Sequence, residues 1–154
     1  ILPYIAGFLD GDGCVMMQLV YRHDYILGYQ IRASIVFYQK TQYKGFLVWL
    51  KKKLRFGYIR ERNDNISEYT IVGQNEVEKV LKLLQPHIRL KKRQTKLALE
   101  IIKELKSVKR FTPNILLQIA KKVDQFGKLN YSKKRTNTSK KVEAYLKTKN
   151  LLSP

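Results

Sequence analysis

Two carboxylates stand two residues apart in Asp10-Gly11-Asp12-Gly13, directly after the apolar run from Pro3 to Leu9. That run reads as a short helix with proline in its first turn, ending where Gly11 and Gly13 supply C-terminal punctuation. A helix C-terminus carries partial negative charge and unpaired carbonyls, so each carboxylate there is destabilising by a few tenths to about 1 kcal/mol. Something positive should compensate. Two of the chain's five aspartates sit in this one turn, which favours a bound divalent cation held by carboxylate and backbone carbonyl. Magnesium or manganese suits such hard oxygen ligands. Spacing alone leaves the blander alternative open, that Asp12 is a solvated turn aspartate.

Gly7 and Gly11 are four residues apart, hence on one face of the helix, and Ala6 lies beside them. Small side chains let helix backbones approach closely. Because the segment occurs once, its expected partner is a second copy of itself across a twofold axis, with Ala6, Gly7, Asp10 and Gly11 at the contact. Two acidic helix ends would then lie side by side.

The elements that must position this turn follow from periodicity. Strands are expected over 15–22 and 29–39; Ile31, Ala33, Ile35 and Phe37 alternate with Gln30, Arg32, Ser34 and Val36, giving an apolar and a largely polar face. Residues 23–28 turn between them. A helix over 41–54 carries the apolar stripe Phe46, Leu47, Trp49, Leu50 and Leu54, with Trp49 expected in the core. Strands 58–62 and 68–72 flank the turn Asn63-Asp64-Asn65, and a helix over 76–84 is stopped by Pro86. Further helices are expected over 91–105 and 113–129, the latter capped by Thr112 ahead of Pro113. The order is that of an α+β unit. A single domain over 1–154 is expected, with a basic loop 130–140 and a C-terminal helix 141–149 as appendages.

Composition narrows the partner. The formal charge of +19 arises from 31 Lys and Arg against 12 Asp and Glu, which makes a polyanion the natural ligand. No apolar run approaches the roughly 20 residues of a membrane span, and secretion is not expected. The lone cysteine, Cys14, excludes an intrachain disulfide and a Cys-rich zinc module, and reads as a small strand residue. His23 and His87 have no zinc spacing and read as structural or surface groups. Abundant Lys, Ile, Asn and Tyr match A·T-rich codons, as in an organellar genome.

The segment Tyr4-Ile5-Ala6-Gly7-Phe8-Leu9-Asp10-Gly11-Asp12-Gly13 resembles the signature of the LAGLIDADG homing endonucleases. Gln39-Lys40-Thr41-Gln42, Gly57-Tyr58-Ile59-Arg60-Glu61-Arg62, Gln85-Pro86, Leu90-Lys91-Lys92-Arg93-Gln94 and Val123-Asp124-Gln125 extend the likeness, in order, to the single-motif homodimeric type found in algal chloroplasts. The resemblance implies an αββαββα core with a curved antiparallel DNA-binding sheet, plus C-terminal helices. It implies cleavage of double-stranded DNA at a long pseudo-palindromic site in intron homing, leaving short 3′ overhangs. Magnesium is the implied cofactor, manganese a substitute, with no small-molecule cofactor and no membrane partner. A chloroplast location is implied ahead of a mitochondrial one.

Carried over by the same likeness, Asp12 and the Gly11 carbonyl hold metal, while Gln39 and Lys91 organise water and charge at the scissile phosphate. Tyr43 stands where the family often has arginine, with Lys44 as a possible substitute. The polar strand face supplies base contacts: Gln18, Arg22, Tyr25, Gln30, Arg32, Ser34, Arg60, Arg62, Glu68 and Thr70. Lys40, Ser132, Lys133, Arg135 and Asn137 are expected on phosphates. Rival readings are an intron-RNA maturase or non-cleaving regulator of the same fold, and a basic protein without sequence preference. Intact Asp12, Gln39 and Lys91 favour the nuclease.

Overall fold

A computed structural model describes residues 1–130 and 135–153. Its order is α1 (Leu2–Asp12), β1 (Gly13–Tyr21), β2 (Tyr29–Lys40), α2 (Lys44–Leu54), β3 (Tyr58–Glu61), β4 (Ile66–Val72), α3 (Gln74–Leu84), α4 (Lys92–Ser107), α5 (Pro113–Val123), α6 (Phe126–Leu129) and α7 (Ser139–Thr148). Short 3₁₀ turns at Thr41–Tyr43 and Gln85–His87 precede α2 and follow α3. The four strands form one sheet in the order β1-β2-β4-β3. The chain divides into two compact units, residues 1–16 with 33–99, and residues 17–32 with 100–154.

In the first unit, β4 pairs antiparallel with both β2 and β3. Phe37 lies opposite Tyr69 and Ile35 opposite Ile71, while on the other face Tyr38 and Arg60 flank Glu68. The first set is fully buried and forms the core with Ile5, Leu9, Leu47, Leu50, Val77 and Leu81 from the helices. Phe37 stacks between Phe8 and Tyr69 at centroid distances of 6.0 and 5.7 Å. Tyr69 satisfies the one polar atom on its ring by donating to the Phe56 carbonyl at 2.7 Å. Trp49 departs from expectation. It is half-buried, part of a surface cluster with Tyr4 and Phe46, because α2 turns only Leu47, Leu50 and Leu54 fully inward.

In the second unit the hairpin loop closes through the Arg22 amide on the Gly28 carbonyl at 2.8 Å. Gly28 has φ +80°, and a Cβ there would come within 2.3 Å of the Tyr145 ring, so both backbone and space require glycine. Tyr145 meets Tyr21 and Tyr29 edge-on, both at 5.9 Å, and anchors α7 beneath the hairpin. Thr112 caps α5 as expected, its hydroxyl accepting from the Ile115 amide at 3.2 Å. The expected helix 113–129 is instead two, α5 and α6. The Asp124 carboxylate at the break accepts the Ser139 amide at 3.0 Å and the Ser139 hydroxyl, so it starts α7 rather than continuing α5.

Candidate functional site

Helix α1 runs through Gly11 to Asp12, so Gly11 is a helical residue and not a stop. The chain leaves the helix at Gly13, whose amide reaches back to the Leu9 carbonyl as β1 begins. The two aspartates are thereby separated by environment. Asp10 points inward, 8% exposed, and its carboxylate accepts the amides of Arg89 and Lys91 at 2.7 and 3.0 Å. Lys91 also places its ammonium 2.6 Å from the Asp10 carbonyl. The compensating charge expected at this helix end is therefore, for Asp10, the chain's own lysine and two backbone dipoles.

Asp12 has none of this. It is exposed, and among the described residues no hydrogen bond or ion pair reaches its carboxylate. With the Gly11 carbonyl in the same last turn, it offers two hard oxygen donors. No group of three His, Cys, Asp or Glu gathers among the described residues. That donor set fits magnesium, which keeps several waters and takes one or two carboxylates together with substrate phosphate.

The exposed stripe of α1 comprises Pro3, Tyr4, Gly7 and Gly11. A Cβ added to Gly7 or Gly11 meets no heavy atom within 4 Å. Beside them Ile1, Tyr4, Phe46 and Trp49 line an apolar groove of about 410 Å³. Two residues expected at a helix contact are corrected: Ala6 is 0% exposed and Asp10 is held by the 89–91 backbone, because both lie on the face of α1 that packs into its own core.

Lys91 is close enough to act on the Cys14 thiol, which burial pushes up and the lysine charge pulls down. Burial also pushes the Tyr38 hydroxyl up, with smaller contributions from Cys14 and Glu68. Gln39, next along β2, turns its Oε1 onto the Lys40 amide at 2.9 Å, which leaves its NH₂ group as the donor. Lys40 and Tyr43 are exposed. Lys44 pairs with Glu61 at 2.5 Å, so it is engaged within the chain beside Tyr43.

Of the expected base readers in the first unit, Arg60 and Arg62 share Glu68 at 2.9 and 3.2 Å, and Arg62 also meets Asp64 at 2.5 Å. These pairs are exposed on the arginine side, where salt screens them and they can be exchanged for another acceptor. Ser34 and Thr70 are corrected. They are 2% and 5% exposed, short side chains nearly closed off from solvent on the two inner strands.

In the second unit Arg22 holds Asp24 at 3.2 Å and Gln30 at 3.4 Å, with its guanidinium 5.2 Å from the Tyr25 ring centroid. The arginine's hydrogen bond keeps the Asp24 carboxyl below its ordinary range. Gln18, Gln30 and Arg32 are half-exposed. Arg135 and Asn137, expected on phosphates, are engaged within the chain: Arg135 donates to the Val123 and Met17 carbonyls at 2.9 and 2.7 Å, and Asn137 to the Leu19 carbonyl at 2.9 Å. Buried main-chain oxygens claim their donors. Ser132 and Lys133 lie outside the described residues. The ties to β1, like that of Asp10 to Arg89, span about half the chain or more and leave no local trace in sequence.

The family model for LAGLIDADG endonuclease matches residues 5–94. The chain is 40% identical to the DNA endonuclease I-CvuI of Chlorella vulgaris over 94% of its own length and 88% of the relative's. It is 37% identical to the DNA endonuclease I-CreI of Chlamydomonas reinhardtii over the same shares. The crystal structure of I-CvuI in complex with its target, in the presence of calcium, superposes with a TM-score of 0.92 at 38% identity, covering 99% of this chain and 96% of that one. The homing endonuclease I-TnaI, at 19% identity and a TM-score of 0.77 over 97% of each chain, shares the fold. By signature, by near full-length identity and by its α+β architecture, the chain belongs to the LAGLIDADG homing endonuclease family.

Proposed function

We propose that this chain is a site-specific, magnesium-dependent DNA endonuclease that acts as a homodimer, cutting both strands of a long pseudo-palindromic site to leave short 3′ overhangs. The carrying observation is Asp12, an exposed carboxylate without a partner among the described residues, at the end of a helix whose glycine stripe faces open space. Gly7 and Gly11, flanked by Tyr4, let the same helix of a second copy approach, which brings two Asp12 carboxylates together. Asp12 and the Gly11 carbonyl of each copy would hold the metal, and manganese would substitute for magnesium. A divalent cation bound there supplies a water of lowered pKa and stabilises charge on the phosphate oxygens.

The rest is work for the chain's own side chains. Lys91, already fixed at the Asp10 carbonyl, keeps a positive charge beside the helix end where phosphate charge grows. Gln39 donates its NH₂ to water or phosphate. Arg60, Arg62 and Glu68 on one unit, and Gln18, Arg22, Tyr25, Gln30 and Arg32 on the other, meet base edges; on opening the Glu68 and Asp24 pairs, arginine pairs with guanine and glutamine with adenine. Lys40, Ser132 and Lys133 contact phosphate. Its proposed role is intron homing in an organelle, the chloroplast ahead of the mitochondrion; the matched endonucleases come from Chlorella vulgaris and Chlamydomonas reinhardtii. No helix among the described residues is long and apolar enough to cross a membrane.

A plasmid pool carrying candidate intron-insertion sites tests the reading. Linearisation is expected in magnesium or manganese and none in a chelator. Binding without cutting in magnesium, with restored splicing of the intron RNA, would favour a maturase and overturn the nuclease.

A further inference from the structure

We infer that Arg135 and Asn137 are positioning residues for sequence reading, acting through the backbone of β1 on Gln18. This rests on the DNA-reading role proposed above. The strand order leaves β1 with a strand neighbour on one side only. In a paired strand, alternate carbonyls project from the same edge, and Met17 and Leu19 are such a pair. Their carbonyls are taken by Arg135 Nη2 at 2.7 Å and Asn137 Nδ2 at 2.9 Å. Side-chain donors thus stand where a further strand would have supplied amides, covering the edge of the sheet.

Arg135 reaches further. Its Nη1 donates to the carbonyl of Val123, the last residue of α5, at 2.9 Å, so one planar guanidinium joins a helix C-terminus to the strand. A cation is favoured at that helix end. Its stem passes over Gly127, where an added Cβ would lie 3.0 Å from Cδ. The side chains of Met17 and Leu19 are buried, and Gln18 between them points to the opposite face. Fixing the two flanking carbonyls fixes the pleat from which Gln18 projects, and a bidentate glutamine contact tolerates little misplacement.

Arg135→Lys separates this role from a phosphate contact, because lysine keeps the charge but cannot bridge two carbonyls with a planar fork. Cleavage of a duplex library randomised over the target gives base preference at every position. The base pairs whose preference Gln18→Ala removes mark what Gln18 reads. Arg135→Lys and Asn137→Ala are expected to flatten preference at those pairs by about fivefold or more, on the scale of a missing bidentate base contact. Preference at pairs read by Arg60, and the salt dependence of binding, should stay unchanged. A drop in active protein alone would lower cutting evenly at all positions, and so would overturn the inference. So would an unchanged profile, or intact preferences in Arg135→Met with a salt dependence shallower by about one for each phosphate no longer neutralised. If Arg135→Lys does not fold, Asn137→Ala decides, since it removes one hydrogen bond. A wild-type chain that cuts nothing would instead overturn the nuclease reading itself.

Discussion

Asp12→Asn is expected to leave the protein folded, dimeric and bound to its DNA, while lowering the cutting rate in magnesium by about 10³-fold or more, equivalent to about 4 kcal/mol of transition-state stabilisation. The Asp12 carboxylate has no partner within the described chain, so its removal breaks no internal bond. Asparagine keeps a neutral oxygen but not the charge that a divalent cation needs. Asp10 provides the contrast. Its carboxylate accepts two amides in a nearly buried position, so Asp10→Ala leaves both donors without their acceptor at a cost of about 1–3 kcal/mol. Urea denaturation reads that destabilisation, and rate measurements on DNA read the other effect. If the two substitutions exchanged their effects, with Asp12 governing stability and Asp10 cutting, the separation of roles drawn from their surroundings would be wrong.

The second large effect lies on the glycine stripe. Within one chain, Gly7 has no steric reason to be glycine, since an added Cβ meets nothing. Glycine inside a helix is destabilising by about 0.5–1 kcal/mol relative to alanine, so a larger helix former should stabilise an isolated chain. A second helix against this face reverses the sign. Inserting side chains into close packing costs about 1–3 kcal/mol each, and twofold symmetry inserts two. Gly7→Leu should therefore weaken the dimer by roughly 30-fold or more and remove double-strand cutting, with helical circular dichroism retained. Light scattering at micromolar concentration distinguishes the outcomes. A Gly7→Leu protein that remained dimeric and active would place the subunit interface elsewhere.

What sequence made legible was local. Alternation over Ile31, Ala33, Ile35 and Phe37 located β2, and Thr112-Pro113 located the start of α5, because both signals act over a few residues. The apolar run from Pro3 located the body of α1 but not its end, since Gly11 and Asp12 are still helical. Local pattern alone could not tell Asp10 from Asp12, which only the family resemblance separated, since the difference in their surroundings arises from amides about eighty residues away. Nor could it show that Arg135 and Asn137 face inward, as their acceptors are 118 residues distant in β1. Ser34 and Thr70 have the chemistry of base readers but are nearly buried, whereas the longer Arg32 and Glu68 on the same strands are partly exposed. Trp49 has the hydrophobicity of a core residue and lies instead on the face shared with Tyr4 and Phe46. Residue type fixes what a side chain can do; long-range packing fixes what it meets.

Two copies of this chain, joined through α1, are proposed to form one sequence-specific nuclease. Sequencing the ends produced from a fully randomised duplex library in magnesium tests it most directly. The expected result is paired cuts in opposite strands with short 3′ overhangs, and base preferences mirrored about the midpoint between them. Cuts without sequence preference, or a one-sided profile with single-strand nicks, would contradict a symmetric dimer sharing its two Asp12 carboxylates.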